Sequence, residues 1–272
     1  MTGRPGKQET WRFINSGYLD GATNMAIDVA LAQCMTSESR YPVLRIYGWD
    51  PPAISLGYHQ NTDDIDLERC KKDNVDVVVR PTGGRAILHA DELTYAVVIP
   101  QYSRYYDPQV SRVYGIISQC LVEGLNQLEY PVEFERAAFT PRDFNRGELS
   151  TMCYASTVQH EISHQGRKLV GSAQRRLNGV VLQHGSVLIG RKHLDITDYL
   201  TKQDEKGRER VKSFMMKKTT CLKDIKNSNG TTFRDLTLAI KNGFEKRLDV
   251  KFLETELTPR ELACVRDLKT RK

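Results

Sequence analysis

The chain has 272 residues, of which 39% are hydrophobic and 27% are charged. That balance is typical of a globular protein, and the length allows one large domain or two modest ones with a substantial core. No apolar run approaches the roughly 18 residues of a membrane span, and the N-terminus lacks the apolar segment of a signal peptide, so we expect a cytoplasmic protein that is not in a membrane.

The net charge of +6 is mild and dispersed. No basic block is interleaved with aromatic residues, so nucleic acid is not the expected partner. A modest positive charge suits the docking of an acidic protein or an anionic ligand, although it also serves solubility alone. The six cysteines form no CxxC pair, which argues against a disulfide framework and against a zinc site, so no metal is expected.

The first half of the chain alternates between strand and helix signals. The predicted elements are a strand at 11–14, a helix capped by Asp20 and running to about Met35, strands at 44–49 and 53–56, a short helix at 66–72, a β-branched strand at 75–79, a strand at 93–99, a helix at 108–128 and a strand at 132–134. The run at 75–79 reads as the most clearly buried of these strands.

A glycine turn, Thr82-Gly83-Gly84-Arg85, joins the strands at 75–79 and 93–99. Adjacent glycines allow a tight turn and leave a backbone surface that a ligand can approach closely. Arg80 and Arg85 place positive charge beside that surface, and His89 follows it. This arrangement suits an anion or a polarised carbonyl, although most such turns have no ligand.

The segment at 137–155 shows neither helical nor strand periodicity, and its length is typical of a functional loop. Cys153 lies near its end, whereas Cys34, Cys70 and Cys120 fall on apolar helix faces. A nucleophilic thiol needs access and a positive neighbourhood, and Cys153 is the cysteine placed to have both. A buried, inert thiol remains the alternative at this point.

An antiparallel meander follows at 157–163, 168–176 and 180–189, with Asn178-Gly179 as its hairpin turn. Lys168 enters the middle strand as either a ligand contact or an edge-protecting lysine. The small residues Gly171, Ser172 and Ala173 leave room for a slender ligand. The hairpin register predicts that they pair with the segment containing His184 and Gly185.

The last part of the chain is more charged. It is predicted to contain a short helix at 193–200, an exposed charged connection at 201–218, a turn at 227–230, a helix capped by Thr231 or Thr232, and a last helix with a capping box from Thr258 to Glu261. The overall class is α+β, with a mixed, largely antiparallel sheet flanked by helices. We expect a core domain at 1–200, with the connection and helices of 201–272 packing on it.

Five stretches in order resemble the lipoate-protein ligase and octanoyltransferase superfamily, which shares a fold with biotin–protein ligases. They are DGATNMAIDVAL (20–31), LRIYGWDPPAISLGYHQ (44–60), RPTGGRAILHADELTYAV (80–97), GRKLVGSAQRR (166–176) and LQHGSVLI (182–189). The resemblance covers most of residues 11–200. It departs from the family at Val29, where the first helix usually carries a glutamate.

The superfamily contains two chemistries. Ligases use ATP and hold an acyl-adenylate over the glycine turn, whereas cysteine-dependent octanoyltransferases move an octanoyl group from acyl carrier protein onto a thiol and then onto a lysine. The position of Cys153 ahead of the GRK strand, and Arg85 where ligases typically have a third glycine, make the chain more similar to the second group. The roughly 80 residues after position 190 also look too few for a ligase accessory domain.

The resemblance to cysteine-dependent octanoyltransferases implies catalytic roles for Cys153 and Lys168 and no cofactor. Substrate-binding roles are implied for a larger set: Arg80, Thr82, Gly83, Gly84, Arg85, His89, Gly171, Ser172, Ala173, His184 and Gly185. The implied donor is octanoyl-acyl carrier protein, and the implied acceptor is a lipoyl carrier domain, namely the glycine cleavage H protein or a dehydrogenase E2. His184 or His89 is a candidate acceptor for the proton of the incoming lysine, and Val79 is expected to line the acyl slot.

Two other readings stay open. The chain is then either an ATP-dependent lipoate ligase, with ATP and Mg²⁺ as cofactors and arginines on phosphate, or a non-catalytic binder of a lipoyl group or an adenylate.

Overall fold

A computed structural model describes residues 8–35, 41–136, 160–226 and 231–270. Cys153 with the rest of the predicted loop at 137–155, and the predicted turn at 227–230, lie outside the described residues. The strands are β1 (Glu9–Leu19), β2 (Val43–Trp49), β3 (Ala53–Leu56), β4 (Asp76–Val79), β5 (Ile87–His89), β6 (Glu92–Pro100), β7 (Glu133–Arg136), β8 (His160–His164), β9 (Arg167–Leu177), β10 (Val180–Leu188) and β11 (Val250–Glu254).

The helices are α1 (Gly21–Gln33), α2 (Leu67–Lys72), α3 (Val110–Gln127), α4 (Glu205–Lys218), α5 (Leu222–Ile225), α6 (Phe233–Leu248) and α7 (Pro259–Thr270), with a 3₁₀ helix at Lys192–Tyr199. Their starts follow local capping chemistry. Asp20 accepts a hydrogen bond from the Thr23 amide and Thr232 accepts one from the Asp235 amide, so both predicted caps are confirmed. The capping box predicted at Thr258 and Glu261 is also present.

Eight strands form one sheet in the order β11-β1-β2-β6-β10-β9-β8-β7, and β4-β3-β5 form a second, smaller sheet. Strand β1 pairs in parallel with β2 and with β11, and β3 with β4, whereas the remaining pairings are antiparallel. The predicted α+β class with a mixed, largely antiparallel sheet is therefore confirmed.

The core has three parts. Helices α3 and α6 cover one face of the large sheet, and α1 and α7 cover the other. The 3₁₀ helix and α4 pack on the small sheet. Every residue of β2 and of β6 is buried, because both strands lie in the middle of a sheet that helices cover on both faces. None of the helices in the described part of the chain combines the length and apolarity needed to cross a membrane.

Two sequence expectations are wrong. The β-branched run at 75–79 forms the edge strand β4, and Val79 is 51% exposed, so it does not line an acyl slot. The charged connection expected at 201–218 is largely helix α4, capped by Asp204. Its apolar anchors Val211 and Met215 are four residues apart and buried, but the surrounding charges obscure that short periodicity in the sequence.

Candidate active site

A cavity of about 200 Å³ lies between the large sheet and the small sheet. Its walls come from α1, β2, β3, the glycine turn, β5, β6, β9 and β10. The lining residues are Met25, Tyr47, Trp49, Ser55, Arg80, Gly83, Gly84, Ile87, His89, Thr94, Lys168, Gly171, Ser172, Ala173, Gln174, His184, Gly185 and Ser186. Large apolar side chains and bare backbone form much of this surface, and a few polar groups converge on it, which is the usual composition of a small-molecule site.

The Arg80 side chain holds the glycine turn in shape. Its guanidinium donates to the Gly83 carbonyl at 2.9 and 3.1 Å, to the Arg85 carbonyl at 2.7 Å and to the Ser55 carbonyl at 2.8 Å. Arg80 is 4% exposed, so these bonds satisfy a charge that would be costly to bury otherwise. Arg80 therefore supports the turn from behind, with its donors directed at backbone carbonyls.

The two glycines of the turn have different reasons to lack a side chain. Gly84 has φ +93°, a conformation that side chains disfavour. An ideal Cβ on Gly83 would meet no atom within 4 Å, so that glycine leaves open space at the cavity wall. Gly57 packs against the turn so tightly that a Cβ there would lie 1.9 Å from the Gly84 carbonyl oxygen.

A first buried carboxylate–histidine pair reaches the turn through Thr82. Asp28 of α1 accepts from His184 Nδ1 at 2.9 Å, and His184 Nε2 lies 2.6 Å from the Thr82 hydroxyl. Asp28 also accepts from Arg45 at 2.7 Å and from the Tyr47 hydroxyl at 2.8 Å. Since a carboxylate only accepts, neutral His184 carries its proton on Nδ1 and accepts from Thr82 through Nε2.

The charge states follow from burial and from these partners. Burial alone would raise the pKa of Asp28, but Arg45, His184 and Tyr47 together hold it below its ordinary value. Burial lowers the pKa of His184 despite the neighbouring Asp28, so the ring is neutral at neutral pH. The pair is a fixed, buried support.

A second carboxylate–histidine pair reaches the same turn through Ser55. Arg80 donates to the Ser55 hydroxyl at 3.1 Å, Ser55 lies 2.7 Å from His89 Nε2, and His89 Nδ1 lies 2.9 Å from Glu92. The His89 ring stacks on Trp49 with centroids 4.2 Å apart. The chain of hydrogen bonds from Arg80 through Ser55 and His89 thus ends on the Glu92 carboxylate.

Lys168 is turned into the cavity by a bulge in β9. Val170 lies opposite Ile162 of β8, and Lys168 lies opposite the next residue, Ser163. Strand β9 therefore contains one extra residue, Leu169, between them. Leu169 and Val170 both enter the core, and Lys168 lines the cavity instead. Its side chain is 6% exposed, and its ammonium donates to Glu161 at 2.7 Å. Because this buried ammonium also lines the cavity, it can attract negative charge that develops there.

The β9–β10 hairpin supplies the narrow wall of the cavity. His184 stands opposite Ala173, Gly185 opposite Ser172, and Ser186 opposite Gly171, which confirms the predicted register. A Cβ on Gly185 would lie 2.4 Å from the Gly171 carbonyl oxygen. The absence of a side chain at Gly185 is therefore required by close backbone packing, and it also leaves room for a ligand in the cavity.

The structure brings most of the sequence-predicted residues to one place. Ten line the cavity: Arg80, Gly83, Gly84, His89, Lys168, Gly171, Ser172, Ala173, His184 and Gly185. Thr82 does not line the cavity itself but forms a hydrogen bond with His184, which does. The Arg85 carbonyl accepts from Arg80, and the Arg85 side chain is not among the lining groups. Cys153 lies outside the described residues.

Sequence reasoning missed the groups that hold these residues in place. They are Asp28, Arg45, Ser55, Trp49, Glu92 and Glu161. A signal was available for two of them, because Asp28 and Arg45 each interrupt an apolar run, and a charge in such a run needs a buried partner. Asp28 precedes Val29 by one residue, so α1 does present a carboxylate to the site.

The fold and this site define the class of protein. Residues 20–245 match the family described as the lipoyl protein ligase A/B catalytic domain, and the chain belongs to that family.

Its curated relatives narrow the comparison. An Anoxybacillus flavithermus protein named octanoyltransferase LipM is 36% identical and aligns with 98% of this chain and 96% of its own length. A Staphylococcus epidermidis protein of the same name is 35% identical over 96% of this chain and 95% of its own length.

A solved structure of a bi-partite lipoate protein ligase from Thermoplasma acidophilum superposes with a TM-score of 0.79. It covers 97% of this chain and 93% of its own, at 21% sequence identity, so it supports the lipoate-protein ligase fold.

Proposed function

We propose that the protein is an octanoyltransferase of protein lipoylation, which moves an octanoyl group from acyl carrier protein to Cys153 and then to the lysine of a lipoyl carrier domain. The observation that carries the proposal is the narrow, largely apolar cavity with the Lys168 ammonium in its wall. The names of the relatives that match nearly the whole chain support octanoyl transfer as the reaction.

The cavity suits a slender acyl chain. Trp49, Tyr47 and Ile87 supply apolar surface, and Gly83 with Ala173 keeps the passage narrow. Burial contributes about 0.8 kcal/mol per methylene, so the six methylenes of an octanoyl chain contribute roughly 5 kcal/mol. This free energy favours the acyl chain lying in the cavity while the thioester to Cys153 holds the group and the two carrier proteins exchange.

The first half-reaction is a thioester exchange. The Cys153 thiolate attacks the donor carbonyl, the new carbon–sulfur bond forms, and the carrier's thiolate leaves and takes up a proton. Bond energies change little in this exchange, so positioning matters more than a strong base. Lys168 stabilises the thiolate and the tetrahedral oxyanion.

In the second half-reaction the neutral amine of the acceptor lysine attacks the acyl-enzyme. The amide bond forms as the Cys153 thiolate leaves, and that thiolate takes the proton which the amine gives up. His184 and His89 have both ring nitrogens engaged within the described structure, so they act by holding the glycine turn.

Four of the five cysteines in the described region are poor nucleophile candidates. Burial raises the pKa of Cys34, Cys70 and Cys221 to about 11, and it also raises the pKa of Cys120. A thiol with such a pKa stays protonated at neutral pH and reacts slowly. None of these cysteines lines the cavity.

The test is intact-protein mass spectrometry after mixing the protein with octanoyl-acyl carrier protein in the absence of ATP. We expect a mass increase of one octanoyl group in the wild type and in Cys264→Ala, a matched loss of a thiol on α7, and no increase in Cys153→Ala. A full adduct in Cys153→Ala would refute the covalent mechanism.

An ATP-dependent lipoate ligase is the second candidate, because the structural neighbour from Thermoplasma acidophilum is a ligase. Adenylate chemistry would need cations for phosphate, and the guanidinium of Arg80 is already directed at backbone carbonyls. The same assay separates the two candidates. Modification of a carrier lysine only when ATP and free octanoate are supplied would identify a ligase.

A further inference from the structure

Helix α4 carries an unusual share of the protein's charge. Its 14 residues include six lysines and arginines and two glutamates, a net charge of +4, whereas the whole chain has +6. Part of this charge is structural, because Lys212 pairs with Asp195 at 3.0 Å and Arg208 donates to the Leu200 carbonyl. Of the other cations, Lys206, Arg210 and Lys217 lie on the side of the helix opposite its buried anchors, whereas Lys218 lies on the side of the anchors.

The exposed face of α4 is regular. Lys206, Arg210, Ser213 and Lys217 are exposed and recur at intervals of four, three and four residues, which places them on one side of the helix. Lys206 and Lys217 stand about 16 Å apart along the axis, given a rise of about 1.5 Å per residue. We refer to this side as the cationic face of α4.

The C-terminal end of this helix lies beside the cavity. Thr219 follows α4 directly and pairs with Lys168 in a parallel bridge, and the Thr220 amide donates to the Lys168 carbonyl at 2.9 Å. Lys168 is the residue whose ammonium lines the cavity. Met216, in the last turn of α4, is 46% exposed and adds an apolar contact next to the cations.

We propose that the cationic face of α4 is the docking surface for an acidic face of the carrier protein that delivers the acyl thioester. The inference rests on the proposed transfer reaction and adds the site of partner recognition to it. A partner that delivers a thioester to the cavity has to be held close to it, and the C-terminal end of α4 lies beside the cavity wall. Opposite charge supplies that attachment and also speeds the encounter.

The experiment reverses charge on this face and compares two donors. Lys206→Glu/Lys217→Glu is assayed for acyl-enzyme formation with octanoyl-acyl carrier protein and with octanoyl-N-acetylcysteamine, a small thioester with no protein to dock. We expect the second-order rate constant with the carrier protein to fall at least about tenfold, within the range of electrostatic steering. The rate with the small thioester should not change.

A matched control carries the same change of charge elsewhere. Lys251→Glu/Arg266→Glu alters two exposed cations on β11 and α7, and β11 is at the other end of the large sheet from β8 and β7. We expect wild-type rates with both donors in this control. Salt should slow the carrier reaction of the wild type and have much less effect on the α4 variant.

Two results would overturn the docking surface. One is an unchanged rate with the carrier protein in the α4 variant, and the other is an equal loss with both donors. If the wild type forms no acyl-enzyme with either donor, the transfer reaction fails, and fluorescence anisotropy of labelled carrier protein then tests docking directly. Equal binding to the wild type and the α4 variant would refute the surface.

Discussion

Asp28→Asn is the most informative single substitution, because Asp28 forms a buried ion pair with Arg45 and also accepts a hydrogen bond from His184 of the candidate site. The change keeps the shape of the side chain and removes its charge. Asp28 and Arg45 are both fully buried and 2.7 Å apart, so the variant leaves a buried guanidinium without a counter-charge. Breaking a buried pair from one side typically costs about 3–5 kcal/mol.

Urea denaturation at pH 7 measures this loss, with Asp73→Asn as the matched control. Asp73 pairs with Arg69 at 3.5 Å on the surface, where such a pair contributes about 0.3–0.5 kcal/mol. Arg45→Met adds a double-mutant cycle. Because Asp28→Asn and Arg45→Met together remove both charges, we expect the double variant to lose much less stability than the two single losses combined.

The pH dependence gives a second readout of the same pair. The folded-state pKa of Asp28 lies below its ordinary value of 3.8, so its contribution is complete above that pH and is lost as the pH falls through the folded value. Asp28→Asn should remove this contribution to the loss of stability at acid pH. A loss of stability at pH 7 no larger than that of Asp73→Asn would refute our account of the pair.

Three further predictions concern a buried histidine outside the cavity lining and two residues of the candidate site. Burial lowers the pKa of His193 to about 4 from an ordinary 6.5, so the folded protein favours the neutral ring. The contribution of His193 to the free energy of unfolding should therefore be complete above pH 6.5 and fall by up to about 3 kcal/mol towards pH 4. In urea denaturation measured across this pH range, His193→Gln should lose stability less steeply with falling pH than the wild type, whereas the control variant His59→Gln, at an exposed position, should follow the wild type. Gly83→Ala should keep the wild-type melting temperature but raise KM for an octanoyl thioester, because its methyl group meets only the space of the cavity; a lower melting temperature would contradict this placement. Glu161→Gln should slow acyl-enzyme formation about tenfold in a quenched time-course assay, because Lys168 loses a charged hydrogen bond typically worth about 1.5–3 kcal/mol. An unchanged rate would show that Glu161 does not position Lys168.

Local features were the most predictable from the sequence. The Asp20 and Thr232 caps and the Asn178-Gly179 turn depend on side chains and backbone angles within a few residues, and the structure contains all three. The hairpin turn also sets the strand register, which is why the pairing of the segment that begins at His184 with residues near Gly171 to Gln174 could be predicted before the sheet was known.

Burial was harder to predict than secondary structure. The runs at 75–79 and 93–99 are both rich in apolar residues, yet β4 is an edge strand and β6 is buried throughout. Composition alone does not distinguish them, because the difference depends on which strands and helices lie beside each one. Helix α4 was missed for the opposite reason, since its charges concealed two buried anchors.

The fold class, the glycine turn, the hairpin and most of the side chains that line the cavity could be predicted before the structure, because short-range patterns and a family resemblance are both contained in the order of residues. How those side chains are held could not be predicted. Asp28 lies 156 residues from His184, and Ser55 joins Arg80 to His89 across two strands of the small sheet and the turn. Such contacts depend on how the two sheets and α1 pack together, which no local pattern specifies.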